Sequence, residues 1–299
     1  MARWDKATPA GIPDWFWESV ETEATTACVE VEECDVNYRC WGDAAKPGIL
    51  LIHGMHAHSH WWDFIAPHFK DEYYLVAMDL TGMGDSDYRF KYSGDTYVQE
   101  IVSVCDAAGL NNDLTVVAHS FGGLVAVKAV NTYPERFGGL VLVDSGIRHP
   151  DDPPPEYPPV IARTTVYPSR EIGEARFRLQ PPQPCENEYL LKYIAKHSLR
   201  PEQGGWTWKF DEDLPIALKG VERTAAEYAA LAEMDLNVGL IYGQDSELFG
   251  TNTLSYMQEL IPTGFPVVGV PNAQHHVFLD QPLAFVDSLR DVLQGFEPG

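Results

Sequence analysis

Short, continuous apolar runs recur along the chain, and runs of this kind predict strands buried in a parallel sheet. The six clearest are GILLIHG (48–54), YLVAMD (74–79), LTVVAHS (114–120), GGLVLVDSG (138–146), NVGLIYG (237–243) and FPVVGV (265–270). Two earlier segments, ACVEVEE (27–33) and DVNYRCWG (35–42), instead alternate apolar and polar positions. Alternation with a period of two predicts strands with one solvated face, so we expect this pair to be antiparallel and to lie at a sheet edge.

Helical patterns separate most of these predicted strands. They cover residues 59–69, 96–109, 122–133, 252–260 and 282–293. Strands that alternate with helices pack as a doubly wound, mostly parallel sheet with helices on both faces. The sequence therefore predicts an α/β fold.

One segment interrupts this alternation. Residues 150–184 contain ten of the chain's 22 prolines, and two aromatic-rich stretches with a predicted helical pattern follow, NEYLLKYIAKHSL and GGWTWKFDEDLP. The segment has too many aromatic and aliphatic side chains for a disordered linker. We therefore expect a helical cap at residues 147–230, inserted into a core formed by residues 1–146 and 231–299.

The charge and composition of the chain narrow the classes of molecule that it is expected to bind. The 299 residues carry a formal charge of −23, which argues against nucleic acid and anionic membrane surfaces as partners. No apolar run approaches the ~18 residues of a membrane span, and the N-terminus lacks the pattern of a signal peptide. Five cysteines without a C-x-x-C pair fit reduced thiols in a cytoplasmic protein. The aromatic cluster Trp15, Phe16 and Trp17 is expected to pack on its own protein rather than on a membrane.

The stretch VVAHSFGGL (116–124) places one serine between a predicted buried strand and a predicted helix. Small residues flank it in the pattern Ala118-His119-Ser120-Phe121-Gly122, a G-x-S-x-G elbow with alanine at its first small position. In such a turn the serine oxygen is exposed at the carboxyl edge of the sheet, where the helix N-terminus offers free N–H groups to a developing negative charge. The alternative is a serine that only caps the helix. The strand–turn–helix context favours a nucleophile.

Together with three further motifs, this elbow makes the chain resemble the α/β-hydrolases over nearly its whole length, in particular the capped serine hydrolases and carboxylesterases. LLIHGM (50–55) looks like the oxyanion loop after the third strand, and MDLTGMGDSD (78–87) looks like the D-x-x-G-x-G-x-S loop after the fourth. NAQHHVFLDQP (272–282) resembles the terminal histidine loop of that family. The agreement of several independent motifs makes chance similarity improbable.

The resemblance implies roles for individual residues. Ser120 would be the nucleophile and His275 its general base, with His276 as the alternative histidine. The backbone N–H groups of Met55 and Phe121 would hold the oxyanion.

A run of histidines at His53, His56, His58 and His60 raises the question of a metal site. The run has no partner cysteine or carboxylate cluster, and the resemblance gives His53 a structural place in the oxyanion loop. We therefore expect no metal and no organic cofactor.

The carboxylate that orients the histidine has two candidates. In most relatives the acid follows the seventh strand, three residues after a glycine, but here Ser246 stands three residues after Gly243 and Asp245 lies one place early. Asp144, at the end of the predicted sixth strand, is the alternative, and some relatives place their acid after that strand. The number of residues between Ser120 and Asp144 matches that in those relatives, which favours Asp144. Loops tolerate a shift of one residue, however, so the spacing leaves both carboxylates open.

Several aromatic residues are candidates for the substrate pocket. Trp206, Trp208 and Phe210 are spaced two apart, which fits either a wall above the nucleophile or buried residues of a strand-like segment. His119, beside the nucleophile, is a further candidate. The tryptophans of HWW (60–62) could touch an acyl group, although core packing is favoured for them.

The implied reaction is hydrolysis of a small-molecule carboxylic ester with a small to medium acyl chain, through an acyl-enzyme on Ser120. Lactonases and carbon–carbon bond hydrolases use the same triad and stay open as alternatives, as does a non-catalytic small-molecule binding protein on this scaffold. A serine at this position disfavours the dehalogenases and epoxide hydrolases of this fold, which need an aspartate there. The sequence leaves a homodimer possible.

Overall fold

The computed structural model describes residues 11–152, 165–249, 251–261 and 264–296. Its centre is an eight-stranded sheet, and the strands are β1 Thr25–Val31, β2 Cys34–Trp41, β3 Gly48–Ile52, β4 Tyr74–Met78, β5 Leu114–His119, β6 Phe137–Val143, β7 Asn237–Gly243 and β8 Val267–Val270. Their spatial order is β1-β2-β4-β3-β5-β6-β7-β8. β2 pairs antiparallel with β1 and with β4, and every other neighbouring pair is parallel. The predicted mostly parallel α/β sheet, with an antiparallel pair at its edge, is confirmed.

The described residues contain ten helices, some packed on this sheet and others in the segments that connect its strands. They are α1 Asp14–Val20, α2 Gly94–Ala108, α3 Phe121–Thr132, α4 Arg170–Glu174, α5 Glu188–His197, α6 Leu214–Ala217, α7 Ala225–Ala230, α8 Thr251–Leu260, α9 Val277–Asp280 and α10 Pro282–Gln294. The polar and glycine residues of the sequence set some of their ends: the Ser93 hydroxyl accepts a hydrogen bond from the Thr96 N–H at the start of α2, and Gly109 ends that helix with a φ of 74°. No helix in the described part of the chain is long and apolar enough to cross a membrane.

Alternate side chains of the central strands enter two separate cores. In β3, Leu50 and Ile52 belong to the cluster that contains residues of α2 and α3. Ile49 and Leu51 belong to the cluster that contains residues of α10. Because helices cover both faces, the central strands need apolar side chains at every position, and all five residues of β4 are buried.

The helix predicted at 59–69 is wrong. The structure has two short 3₁₀ turns there, Ser59–Trp62 and Ala66–His68. Pro67 lies in the second turn and has no N–H to donate, so a continuous α-helix through this stretch would lose one of its hydrogen bonds. Trp62 is nevertheless fully buried and packs on Phe278, with ring centroids 4.9 Å apart.

The segment between β6 and β7 contains four of the helices, α4 to α7, and a β-hairpin. The hairpin pairs Leu199–Glu202 with Gly205–Trp208, so the prediction of helix for GGWTWKF is wrong and the alternative of a strand-like segment there is confirmed. In a strand, side chains alternate between two faces, and this accounts for the spacing of two between Trp206 and Trp208. Residues 153–164 of the proline-rich stretch and residues 1–10 lie outside the described residues. The division into a core and a cap stays a prediction.

A buried polar cluster, the Asp63 network, joins this segment to the sheet. Asp63 accepts hydrogen bonds from Arg39 Nε at 3.1 Å, His60 Nδ1 at 2.6 Å and the hydroxyl of Tyr193 at 2.6 Å. Tyr193 and His197 belong to α5, and the His197 ring stacks on His60 with centroids 4.0 Å apart. Burial raises the pKa of Asp63, but His60 and Arg39 lower it further than burial raises it, so the group is an anion. The network therefore fixes α5 against the loop that follows β3.

The N-terminal aromatic cluster packs on the protein itself, as predicted. Phe16 is buried, and its ring lies 5.0 Å from that of Tyr189 and 5.6 Å from that of Tyr193. Trp15 and Trp17 pack against the same core cluster.

Candidate active site

The turn between β5 and α3 presents Ser120 in an unusual backbone conformation. Ser120 has a φ of 53° and a ψ of −114°, a region that residues other than glycine rarely adopt. Small neighbours make the turn possible: a Cβ added at Gly122 would lie 2.5 Å from the carbonyl oxygen of His53. The turn is held by two hydrogen bonds, from the Ser120 N–H to Val143 O at 3.0 Å and from Ser145 Oγ to Ser120 O at 2.7 Å. The sequence pattern thus folds into the strained strand–turn–helix that it predicts.

Ser120, His275 and Asp144 lie in one hydrogen-bonded line. His275 Nε2 accepts a hydrogen bond from Ser120 Oγ at 2.8 Å, and His275 Nδ1 donates to Asp144 Oδ2 at 2.7 Å. Three different parts of the sheet supply these groups: the ends of β5 and β6 and the loop after β8. In this arrangement Nε2 can take a proton from the serine, while the carboxylate favours the imidazolium that results.

The structure brings Asp144, and not Asp245, to His275. Asp144 is buried, and its Oδ1 also accepts the Gly243 N–H at 3.0 Å. Asp245 is exposed, and its backbone N–H donates to Ala273 O at 2.9 Å. Ser246, three residues after Gly243, donates its hydroxyl to Asp144 Oδ2 at 2.7 Å. Sequence reasoning missed this role for Ser246, although its position where most relatives have the acid was a signal.

Two further histidines surround His275. His119 Nε2 donates to the carbonyl of His275 at 3.0 Å, and burial lowers the pKa of both His119 and His276 well below the usual value. The three histidines hold ring nitrogens within 4.8 Å of one another, a spacing that could suit a metal ion. However, both ring nitrogens of His275 are already engaged by Ser120 and Asp144, so a metal would have to displace one of them. His119 and His276 are therefore neutral rings packed around the base.

The loop after β3 approaches the elbow closely. A Cβ added at Gly54 would lie 2.9 Å from His119 Nδ1 and 3.3 Å from Ser120 Cβ, so only glycine fits there without displacement. Met55 follows this glycine, and Phe121 begins α3, where the first N–H groups have no partner within the helix. Both residues line the same cavity as Ser120. The structure thus brings the two residues predicted to supply the oxyanion donors to the cavity of the serine.

The other histidines of the loop have separate partners. His53 Nδ1 donates to Gly54 O at 2.7 Å, and its Nε2 accepts the Leu80 N–H at 3.1 Å, which fixes the loop. His58 hydrogen-bonds Ser198 Oγ at 2.8 Å, and His60 belongs to the Asp63 network. The His56 ring lies 4.6 Å from that of Phe210.

Two neighbouring cavities lie at the candidate site, and Ser120 lines one of them. The inner cavity, of about 400 Å³, is bordered by Ser120 and the residues around it. The outer cavity, of about 490 Å³, lies beneath the segment between β6 and β7. Four residues line both: Met55, His56, Trp61 and Gln180. The two spaces therefore adjoin.

The predicted pocket residues divide between these spaces. His119 lines the inner cavity, while Trp208 and Phe210 line the outer one. Trp206 is not among the described residues that line either cavity; instead, the Arg170 guanidinium lies 5.3 Å from its ring. Sequence reasoning missed residues 180–182 and Arg223 of the inner cavity, because no local pattern indicates which parts of a long insertion turn towards the sheet.

The fold and the Ser–His–Asp line define an α/β hydrolase, and comparison with known sequences agrees. Residues 49–288 match the model of the Alpha/beta hydrolase family, and the chain belongs to this family. It is 31% identical over 111 residues to human Epoxide hydrolase 4, a stretch that is 36% of this chain and 30% of that protein. It is also 31% identical over 113 residues to Lipase LipV of Mycobacterium tuberculosis (strain ATCC 25618 / H37Rv), 38% of this chain and 42% of that protein. The chain thus spans less than half the length of these curated relatives.

Solved structures with the same fold cover more of the chain. The thioesterase domain from the curacin biosynthetic pathway has a TM-score of 0.73 at 21% identity, covering 89% of this chain and 98% of that domain. E-2-(acetamidomethylene)succinate hydrolase has a TM-score of 0.73 at 20% identity, covering 91% of this chain and 100% of the other. At these identities the likeness shows the fold alone.

Proposed function

We propose that this protein is a serine hydrolase that cleaves carboxylic esters of small to medium acyl chains through an acyl-enzyme on Ser120. The observation that carries the proposal is the unbroken line from Ser120 Oγ through His275 to Asp144, with hydrogen bonds of 2.8 and 2.7 Å. A serine hydroxyl is a weak nucleophile at neutral pH, and this line supplies the base that it needs.

In the acylation step, Ser120 Oγ attacks the carbonyl carbon of the ester while its proton passes to His275 Nε2. The carbonyl oxygen gains the negative charge, and the N–H groups of Met55 and Phe121 stabilise it. One such donor contributes about 3 kcal/mol to lowering the barrier in related chemistry. The tetrahedral intermediate then collapses, its bond to the alcohol oxygen breaks, and His275 gives its proton to the departing alkoxide.

In the deacylation step, water takes the place of the alcohol. His275 accepts a proton from the water as its oxygen attacks the acyl carbon, and the proton is returned to Ser120 Oγ when the acid leaves. Asp144 keeps Nδ1 protonated throughout, so Nε2 is always the nitrogen that exchanges the proton. Ser246 and Gly243 donate the other hydrogen bonds that the buried Asp144 accepts, at 2.7 and 3.0 Å, so both of its oxygens have partners away from water.

The size of the inner cavity supports small to medium acyl groups. Its volume of about 400 Å³ lies near the lower end of typical small-molecule sites. Leu124, Leu248 and Trp61 give it apolar walls beside the serine. A short hydrocarbon chain can therefore be buried there without loss of polar contacts.

The test is hydrolysis of p-nitrophenyl esters from acetate to decanoate by the wild type and by Ser120→Ala. We expect turnover that is greatest for short or medium chains in the wild type and none above background in the variant. A fluorophosphonate probe should label the wild type and fail to label Ser120→Ala and His275→Ala. A wild type that hydrolyses no chain length and resists the probe would overturn the proposal and favour a binding protein on this scaffold.

A further inference from the structure

We propose that the outer cavity binds an anionic group, a carboxylate or a phosphate, at the end of the substrate remote from the bond that is cleaved. The assignment of this anion to a substrate rests on the function proposed above, whereas the binding of an anion does not. The natural substrate would then be an ester with a negatively charged tail.

The first observation is a local reversal of charge. The chain has 44 acidic and 21 basic residues, yet the charged residues that line the outer cavity are Arg176, Arg178 and Lys209. No aspartate or glutamate is among the described residues that line it. The net charge of −23 repels anions from the protein as a whole. A recess lined by cations can nevertheless attract one.

The second observation concerns how much of this charge is free. Lys209 is partly compensated, since Asp85 lies 2.6 Å from its Nζ. Arg178 donates from Nη1 to the carbonyl oxygens of Ala175 and Phe177, at 3.1 and 2.6 Å, and these neutral partners position the guanidinium without neutralising it. Arg176 makes no ion pair within the described part of the chain. The two guanidinium groups therefore keep donors for a bidentate acceptor.

Acidic side chains compensate part of this charge: Asp85 lies beside Lys209, and Glu171, Glu174 and Glu188 line a neighbouring recess that Arg178 also lines. His56 and His58 also line the cavity, and burial lowers the pKa of His56 to about 4 and that of His58 well below its usual value. Both rings are neutral at physiological pH. The two histidines consequently add no positive charge to the lining, and the charge of the arginines does not change with pH in the range where enzymes work.

The third observation is the position of this cavity beside the catalytic one. Met55, His56, Trp61 and Gln180 border both spaces, so a molecule held in the outer cavity can extend into the inner one. The lining of the outer cavity also contains aromatic side chains, among them Tyr167, Phe177 and Phe210. A molecule with an apolar spacer, a charge at one end and an ester near the other fits this combination of surroundings.

Turnover provides one arm of the test. We would compare kcat/KM for p-nitrophenyl monoesters of dicarboxylic acids, from adipic to sebacic acid, with p-nitrophenyl alkanoates of matched length. The expected result is a preference for the acid-ended ester of about tenfold at one chain length, where the carboxylate reaches the arginines. Arg176→Gln should remove most of this preference, and Arg176→Lys should retain part of it.

Lys70→Gln is the matched control. Lys70 is half-buried, its ion pair within the described part of the chain is with the exposed Asp71, and it lines neither cavity. Its replacement therefore removes one positive charge without changing either lining. It should leave the preference unchanged. An equal loss in Lys70→Gln and Arg176→Gln would mean that net charge, and not the outer cavity, is responsible, and would overturn the proposal.

A binding arm separates this inference from the esterase function. Calorimetry on the Ser120→Ala variant would use a phenyl-terminated alkanoic acid, the phosphate monoester of the matching alcohol, and the alcohol itself. We expect one of the two anions to bind about tenfold more tightly than the alcohol, with the advantage lost in Ser120→Ala/Arg176→Gln and weakened by salt; the tighter of the two identifies the group. Equal affinities for both anions and the alcohol would overturn the anion site even if neutral esters are hydrolysed. Tight anion binding without ester hydrolysis would leave the site standing while the esterase function fails.

Discussion

Replacing Asp144 with asparagine should lower kcat/KM for ester hydrolysis by about 10⁴-fold, a free-energy change of about 5.5 kcal/mol in the barrier. The structure explains why an amide of the same shape cannot substitute. Oδ1 accepts the Gly243 N–H at 3.0 Å, while Oδ2 accepts both His275 Nδ1 and Ser246 Oγ at 2.7 Å. If the amide oxygen faces Gly243, its NH₂ faces His275 and favours the tautomer with a proton on Nε2, which cannot accept one from the serine. If the amide oxygen faces His275, the NH₂ group faces the Gly243 N–H, and two hydrogen-bond donors then meet without an acceptor.

This variant is a fair test because it should fold. Asp144 has a φ of 42°, a conformation that asparagine tolerates better than other residues. Thermal unfolding of the variant, followed by circular dichroism, should therefore show a cooperative transition. Asp245→Asn, at the exposed alternative position, is the control and should keep activity within about twofold of the wild type.

Ser246 offers a stricter check on the geometry. Its hydroxyl lies 2.7 Å from the carboxylate oxygen that His275 contacts, so an aspartate at this position would bring its own carboxylate near Nδ1. Adding Ser246→Asp to Asp144→Asn should restore activity by about tenfold or more. The assay is p-nitrophenyl ester hydrolysis with burst titration of active sites. Two results would refute this account of the acid: Asp144→Asn keeps more than about a tenth of the wild-type activity, or Asp245→Asn loses as much activity as Asp144→Asn does.

Three further predictions concern stability and packing. Tyr193→Phe removes one donor from the buried Asp63 and should lower the free energy of unfolding in urea by about 1–3 kcal/mol, whereas Tyr189→Phe, which lacks that bond, should cost less. Gly122→Ala should cost about 1–3 kcal/mol and reduce activity, because its Cβ would meet the His53 carbonyl at 2.5 Å; an alanine variant with normal stability would contradict the close approach of the two loops. Burial lowers the pKa of five histidines, His56, His58, His119, His197 and His276. As pH drops below about 6.5, these histidines bind protons in the unfolded chain but not in the folded one. The free energy of unfolding should therefore fall by up to about 1.4 kcal/mol per pH unit for each histidine. A melting temperature that stays constant from about pH 7 to about pH 5 would contradict this assignment.

The positions of the central strands along the chain were predictable because burial on both faces of the sheet demands continuous apolar runs. β7 spans the predicted residues 237–243, and the other strands differ from their predicted bounds by a few residues at the ends. The hairpin strand Gly205–Trp208 was predicted only as one alternative, a strand-like segment, since four residues are too few to distinguish a strand from a helix by periodicity. The 3₁₀ turns at 59–69 show how a proline overrides an otherwise helical pattern.

The site could be predicted where a local constraint marks it. Ser120 and its small neighbours satisfy the demands of a sharp turn, and those demands are visible in the sequence itself. The choice between Asp144 and Asp245 has no such local mark, because β6 and β7 are neighbours in the sheet and the loops at their ends lie at the same edge. Only the three-dimensional arrangement shows which carboxylate His275 contacts, and the catalytic roles of these residues stay predictions until the variants are assayed.

The backbone of Ser120 carries an evolutionary consequence. A non-glycine residue with a φ of 53° and a ψ of −114° destabilises the folded state by about 1–3 kcal/mol, so glycine at this position would give a sturdier protein. Most substitutions in a lineage erode stability, and this one would repair it at a single step. In a descendant that no longer needs a catalytic serine, Ser120→Gly would therefore be among the stabilising substitutions that selection most readily accepts. Serine is retained at this position only while selection for its hydroxyl outweighs the loss of stability.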